Sequence, residues 1–181
     1  MNIQQLPNLL GANTHSYVNN RLNDPSIHWY YLPYTATTED SMTYAGSLSH
    51  LIFKDDEPCS PLWEPALAVL LSALDQQGQK LAAVYRVRLG LITRTAEPVT
   101  HSPHVDLPFA HRTGIFYPKS SSGDTVVYNE TEASDTYTEL ARVTPTDNLW
   151  FDFPGEHYHA STTPTLHDDR LVLTINYGIV E

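Results

Sequence analysis

The chain has 181 residues, 41% of them hydrophobic and 17% charged, which suits a globular protein with a real core rather than a disordered segment. Its formal net charge of −11 at pH 7 argues against unaided binding to nucleic acid or to an anionic membrane surface. Cys59 is the only cysteine, which rules out an intrachain disulfide and a thiolate zinc cluster. The opening "MNIQQLPNLLGANTH" lacks the basic head and long apolar run of a signal peptide, and no apolar stretch reaches spanning length. The expected setting is soluble and cytoplasmic.

Residues 1–25 are rich in Asn and other polar side chains and are expected to form a loose arm or irregular lead-in. "IHWYYLPY" (27–34) is aromatic and β-prone, and "SLSHLIF" (47–53) alternates as a strand does. "SPLWEPALAVLLSALDQQGQK" (60–80) reads as a helix. Ser60 suits its cap, Pro61 its first turn and Gly78 its end. Leu62, Leu67, Leu70, Leu71 and Leu74 give it a broad apolar face, whose simplest use is packing against a sheet.

Strand-like segments fill the rest: 81–95, 112–118, 124–130, 136–145, 148–154 and 170–180. Turn signals separate them, namely Ser-Ser-Ser-Gly at 120–123, Pro-Thr-Asp-Asn at 145–148 and Pro-Gly at 154–155. Many short strands after one helix predict a mainly β (α+β) fold, a sandwich or jelly roll, and argue against βαβ units. The expectation is a single domain over 1–181. In it, 1–80 contribute strands and a supporting helix on the outer sheet face, and 81–181 form the jelly-roll core.

Nine histidines and twelve aspartates occur in the chain. Chance therefore supplies on the order of one His-x-Asp, and two are present: His104-Val-Asp106 and His167-Asp-Asp169. Spacing alone decides nothing; context does. Residues two apart on a strand share a face, so His104 and Asp106 can present an imidazole and a carboxylate to one metal. No histidine follows Asp169, so only the first pair can precede a third, histidine ligand. Two histidines and one carboxylate leave sites open on an octahedral metal for a bidentate cosubstrate and O₂. The third ligand is expected on a late strand, at His157 or His159. Arg170 opens the last apolar β-like run, where an arginine is costly unless it meets an anion such as a dicarboxylate.

Together "PHVD" (103–106), "RTGIFYP" (112–118), "GDTVVY" (123–128) and "FPGEHYHASTTPTLHDDRLVLTINY" (153–177) resemble the Fe(II)- and 2-oxoglutarate-dependent oxygenases, in particular their prolyl-hydroxylase-like branch. The resemblance spans about residues 81–180. It implies a double-stranded β-helix (jelly roll) core, with His104, Asp106 and His159 holding Fe(II) and Arg170, eleven residues after His159, pairing with the distal carboxylate of 2-oxoglutarate. It also implies that Tyr117, four residues after Thr113, binds the same carboxylate, with Thr113 at the cofactor site. It favours His159 over His157. The implied reaction is hydroxylation of a C–H bond, of a prolyl residue or an amino acid, with release of succinate and CO₂. The partners are then 2-oxoglutarate, O₂ and a small-molecule, peptide or protein substrate. Retention of the carboxylate at Asp106 favours hydroxylation over halogenation. The chain departs from many relatives in having "LGLITRT" (89–95) where a tyrosine is usual.

Other residues have blander expectations. His101 is placed at solvent or at the substrate mouth, and His111 and His167 at the surface. Arg112 is expected to be solvated at a strand edge. Arg86, Arg88 and Arg94 alternate on one strand, facing substrate or pairing with acids. Trp29, Trp63 and Trp150 are expected in the core or at its rim. Residues 95–103 and 131–138 are expected as loops at the mouth. Two other function classes compete: a zinc hydrolase or lyase using the same ligands, and a non-catalytic jelly-roll binding module.

Overall fold

The computed structural model describes residues 3–33 and 46–180. At the N-terminus the expected loose arm is instead ordered structure. Gln4–Leu6 forms strand β1 and Ala12–Leu22 forms helix α1. β1 pairs antiparallel with β9 (Leu149–Pro154). Val18 and Leu22, both fully buried, anchor α1 in the core. The asparagine-rich composition conceals this helix because so short an element draws its stability from packing rather than propensity.

Tyr30–Leu32 forms β2, and the last residue of the expected 27–34 segment, Tyr34, lies outside the described residues. Ser47–Lys54 is β3 and Glu57–Pro58 is β4. Trp63–Gln77 is α2. The signals read from the sequence operate at both its ends. Ser60 Oγ accepts the Leu62 N–H at 3.1 Å. At the far end Gly78 takes φ +65°, and the N–H groups of Gly78 and Gln79 return to the carbonyls of Asp75 and Leu74. A side chain at that φ would strain the backbone.

The remaining strands are β5 (Leu81–Thr93), β6 (Arg112–Tyr117), β7 (Thr125–Tyr128), β8 (Glu139–Val143), β10 (His159–Ser161) and β11 (Asp169–Ile179). One sheet runs β1-β9-β6-β11-β5-β3-β2, with β4 paired on β3, and a smaller one runs β10-β7-β8. Every named pairing is antiparallel. This is the jelly-roll arrangement expected, with two helices among the described residues rather than one.

Strand alternation divides the large sheet into two faces. On β11, Leu171, Leu173, Ile175 and Tyr177 join the core under the helices, with Leu70 and Leu74 of α2 and Val87 and Leu89 of β5. The intervening Val172 joins a second core with Ile115 and Tyr117 of β6, Val127 of β7 and Phe151 and Phe153 of β9. Arg170, Thr174 and Asn176 share that inner face with Val172. A row of polar residues is thus carried on the inner face of β11, whose opposite face is anchored in the core under the helices.

One correction follows on the helix side. Arg112 is buried rather than solvated, and its guanidinium meets Asp152 Oδ1 at 2.5 Å. Asp152 Oδ2 also accepts the Tyr177 hydroxyl at 2.8 Å and Gln77 Nε2 at 3.0 Å. Burial pushes the Tyr177 phenol upward, and the adjacent Asp152 carboxylate pushes it further. Trp150 is fully buried, while Trp29 and Trp63 are half-buried against the same core. Among the described residues no helix is long and apolar enough to cross a membrane.

Candidate metal centre

His104 and His159 are set side by side by the backbone. His104 N–H donates to the His159 carbonyl at 3.0 Å, and His159 N–H donates to the His104 carbonyl at 2.9 Å. Such a directly opposed antiparallel pair turns both side chains to one face. Their ring centroids lie 4.5 Å apart. Asp106, two residues on, turns to the same face. One donor atom from each of the three residues falls within 4.8 Å of the others. His104 Nε2 is 3.9 Å from Asp106 Oδ1, and His159 Nε2 is 3.7 Å from Oδ2.

The nitrogens that face inward are the ones free to ligate. His104 Nδ1 lies 3.3 Å from the Ser102 carbonyl, and His159 Nδ1 lies 3.3 Å from the His157 carbonyl. Carbonyls accept only, so each Nδ1 carries the proton and each Nε2 keeps a lone pair. Burial, with His159 close by, pushes the His104 imidazole down to about 3. Burial likewise lowers that of His159. Both rings are therefore neutral near pH 7. Burial of Asp106 opposes its ionisation, but His159, Arg88, Arg86 and His104 together hold its carboxyl well below the usual range. Two neutral imidazoles and one ionised carboxylate on one face fit Fe(II) or a similar divalent ion.

Asp106 is held from behind. Arg86 of β5 donates to Oδ1, and Asn176 of β11 donates to Oδ2 at 2.9 Å. Arg86 also donates to Asn176 Oδ1 at 3.1 Å, and Asn176 to Thr113 Oγ1 at 3.1 Å. The structure thus places Thr113 behind the carboxylate ligand, also 3.3 Å from His111 Nε2, rather than on the wall of the cavity. The sequence reading missed Asn176. Its signal was available, since a polar side chain two before the strand's Gly178 lies in an otherwise apolar run.

Arg170 enters the same cavity from β11. It is buried, with Nε donating to the Gly123 carbonyl at 2.8 Å and Nη2 to Thr125 Oγ1 at 2.5 Å. Tyr117 donates to the same Thr125 oxygen at 2.7 Å, and the guanidinium carbon lies 5.8 Å from its ring centroid. Burial lowers the Arg170 pKa and raises that of Tyr117. No described carboxylate forms an ion pair with Arg170. A buried guanidinium with only neutral hydrogen-bond acceptors is suited to receive an anion. Gly123 makes room for it, because a Cβ there would sit 2.4 Å from the Thr162 carbonyl oxygen and 2.9 Å from Arg170 Cδ. Thr125, two residues after Gly123, is the other site residue that the sequence reading quoted without assigning.

Several expectations need correction. His101 is buried rather than at solvent, with Nδ1 2.9 Å from Ser161 Oγ. His111 is buried rather than superficial, its Nδ1 bonded to the Phe109 carbonyl at 2.7 Å and its ring packed where a Cβ on Gly155 would stand. His167 is exposed, as expected. His157 is not part of the His104/Asp106/His159 group, and its Nδ1 lies 2.8 Å from the Tyr128 carbonyl oxygen. Residues 95–103 are not a free loop, for Thr95, His101 and Thr163 tie this segment to 161–164 by backbone hydrogen bonds. Residues 131–136 are exposed.

No protein-family model matches the chain, and no curated protein matches it. Solved structures do. An oxidoreductase of the 2OG-Fe(II) oxygenase family from Burkholderia pseudomallei is 15% identical, with 97% of this chain and 84% of that chain covered at a TM-score of 0.70. A prolyl-4-hydroxylase from Pseudomonas putida is 14% identical over 97% and 92% of the two chains, with a TM-score of 0.59. HygX from Streptomyces hygroscopicus, solved with nickel and 2-oxoglutarate bound, is 13% identical over 97% and 82%, with a TM-score of 0.61. The chain therefore has the jelly-roll fold of the 2-oxoglutarate-dependent oxygenases. Within that fold it carries a His/Asp/His group able to hold a metal.

Proposed function

We propose that the chain is an Fe(II)- and 2-oxoglutarate-dependent dioxygenase that hydroxylates a C–H bond of a prolyl residue or an amino acid. The observation that carries this reading is the buried Arg170, without an acidic partner among the described residues, in the same cavity as His104, Asp106 and His159. In a metal hydrolase using the same three ligands and a water, Arg170 would have to bind the substrate instead, and nothing else at the centre calls for a buried anion site on β11. A dicarboxylate cosubstrate needs both the ligands and that site.

His104, Asp106 and His159 would hold the metal. Arg170 would bind the distal carboxylate, with the Thr125 and Tyr117 hydroxyls completing its surroundings. Thr113 steadies Asn176 and, through it, the orientation of Asp106. Ile115 and Val172 close the apolar wall between the two polar ends and keep water out. With Fe(II) and 2-oxoglutarate bound, the centre would supply O₂ activation coupled to decarboxylation, giving succinate, CO₂ and one oxygen atom in the product.

The prolyl reading is supported by the likeness to the Pseudomonas putida prolyl-4-hydroxylase. We treat residues 1–181 as one catalytic domain, in which 1–80 back the sheet and 81–181 carry the site. A reducing, cytoplasmic setting suits ferrous iron and the free, exposed Cys59 thiol.

The test is succinate formation from 2-oxoglutarate and O₂, screened over proline-containing peptides and free amino acids, with mass spectrometry for a gain of one oxygen atom. Tight Zn(II) binding with hydrolysis, and no charge-transfer band on anaerobic addition of Fe(II) and 2-oxoglutarate, would overturn the reading.

A further inference from the structure

The cavity extends beyond the metal ligands and Arg170. Along β5, Arg88, Gly90 and Ile92 face it in turn. Gly90 lies between Val172 of β11 and Ser49 of β3 in the pairing, and Ile92 lies beside Ser47. The missing side chain at Gly90 opens the floor toward β3, where Ser47 and Ser49 line the cavity. A Cβ at Gly90 would meet Val172 Cγ2 at an ordinary 3.4 Å, so packing alone does not demand a glycine.

Arg88 stands at the metal end of this extension. The Asp106 carboxylate is already engaged by Arg86 and Asn176. Arg88 Nη2 forms only a long ion pair with Oδ1 at 3.7 Å, beyond hydrogen-bond length, and it makes no hydrogen bond to a described residue. Its side chain is 27% exposed while that of Asp106 is 2% exposed, so the guanidinium opens onto the cavity. Charges then fail to balance. A divalent metal, Arg86, Arg88 and Arg170 outweigh Asp106 and a dicarboxylate cosubstrate together. This positive excess sits inside a chain whose net charge is −11, so it is local and is not felt at a distance.

Resting on the oxygenase reading, we propose that the substrate carries a carboxylate, which Arg88 receives as a two-pronged pair over Gly90, with the Ser47 and Ser49 hydroxyls flanking it. Arginine suits this task because its fork matches a carboxylate in plane and spacing. The substrate class is thus a free amino acid or a small acid rather than an internal residue of a peptide, whose neutral amides give the Arg88 fork no anion to hydrogen-bond.

The experiment uses the full chain loaded anaerobically with Fe(II) and 2-oxoglutarate, and in parallel with redox-silent Zn(II) and 2-oxoglutarate. The probes are free amino acids and N-acetyl amino acids, proline included, each beside its neutral amide. The readouts are the perturbation of the charge-transfer band and, independently, the shift in Tm. Acids should give saturable changes at millimolar concentration and amides should not. Arg88→Gln should weaken the acids about tenfold or more while leaving the 2-oxoglutarate Kd within about threefold, the loss expected of one charge-assisted pair. Gly90→Val, which refills the floor without touching Arg88, should weaken the same acids. Equal response to acids and amides, or no response to any acid, overturns the proposal. A large loss of 2-oxoglutarate affinity in Arg88→Gln also overturns it, because Arg88 then serves the cosubstrate. Absence of the band with acid selectivity retained in the Zn(II) series would sink the oxygenase reading and leave the carboxylate site standing.

Discussion

His104 and His159 exchange both of their backbone hydrogen bonds, at 3.0 and 2.9 Å, although 55 positions separate them in the chain. The placement of the two imidazoles is thus written into the main chain. Alanine at His104, Asp106 or His159 should therefore leave the fold in place while removing the metal. For Asp106→Ala we expect loss of metal affinity by roughly a hundredfold or more, since the second-layer changes around a metal already cost about ten- to a hundredfold. Co(II) titration by absorbance measures this, with circular dichroism as the control for folding. Hydroxylation at the full rate in Asp106→Ala would remove the carboxylate from the ligand set.

Arg170 makes a sharper prediction because its protein partners are neutral. Arg170→Met should raise the Kd for 2-oxoglutarate by one to two orders of magnitude, about 1.5–3 kcal/mol for a hydrogen bond to a charged group. Arg170→Lys should recover only part, since a point charge does not reproduce the fork. The metal site lies outside this change, so Co(II) affinity without cosubstrate should hold. A Kd unchanged in Arg170→Met would place the distal carboxylate elsewhere.

Two glycines bear on packing rather than chemistry. A Cβ on Gly114 would stand 2.2 Å from the Trp150 ring, and one on Gly123 would stand 2.9 Å from Arg170 Cδ. Neither has a positive φ, so close approach alone is the reason for glycine. Overpacking costs about 1–3 kcal/mol, and both alanine variants should lose stability of that order in urea unfolding. They should differ in function. Gly114→Ala disturbs the helix-side core and leaves 2-oxoglutarate affinity near the parent value. Gly123→Ala displaces the arginine and weakens cosubstrate binding. Equal effects on affinity would contradict the division of the sheet into two faces.

Strands β5 to β9 and β11 were legible because each has a repeating face bounded by turn residues, and α2 because Ser60, Pro61 and Gly78 mark its ends, while the three-residue β10 is too short to show such a face. Of the His/Asp/His group that could hold a metal, His104 and Asp106 were legible through order along the chain, since only His104-Val-Asp106 has histidines after it, whereas His159 was picked out by the family resemblance. What escaped was decided by tertiary packing. The helix α1 has few apolar residues and is held by Val18 and Leu22. His101 and His111 look like surface residues until segment 95–104 is tied to 161–164 and the His111 ring packs against Gly155. The pairing of Arg112 with Asp152 joins residues of neighbouring strands, β6 and β9, whose adjacency no local pattern announces. The gathering of Arg86, Arg88 and Asn176 around Asp106 likewise required the register of β5 against β11.

The acid response of the metal-free protein follows from the same centre. A free imidazole takes a proton near pH 6.5, whereas the buried His104 does so at about 3. On lowering the pH below about 6.5 the unfolded chain gains a proton that the folded site refuses. The contribution is therefore full above that value and declines as the pH falls toward about 3, with a slope of up to ~1.4 kcal/mol per pH unit for one histidine. His159, lowered by burial as well, acts in the same sense. Asp106 adds a further loss below the ordinary carboxylate range, because its folded carboxyl is held ionised. Protein stripped with a chelator should thus lose urea resistance between neutral pH and about pH 5. His104→Gln, which has no ring to protonate, should flatten that decline. A wild-type profile with no decline over this interval would mean that the imidazoles are not held neutral, and the donor set described above would fail with it.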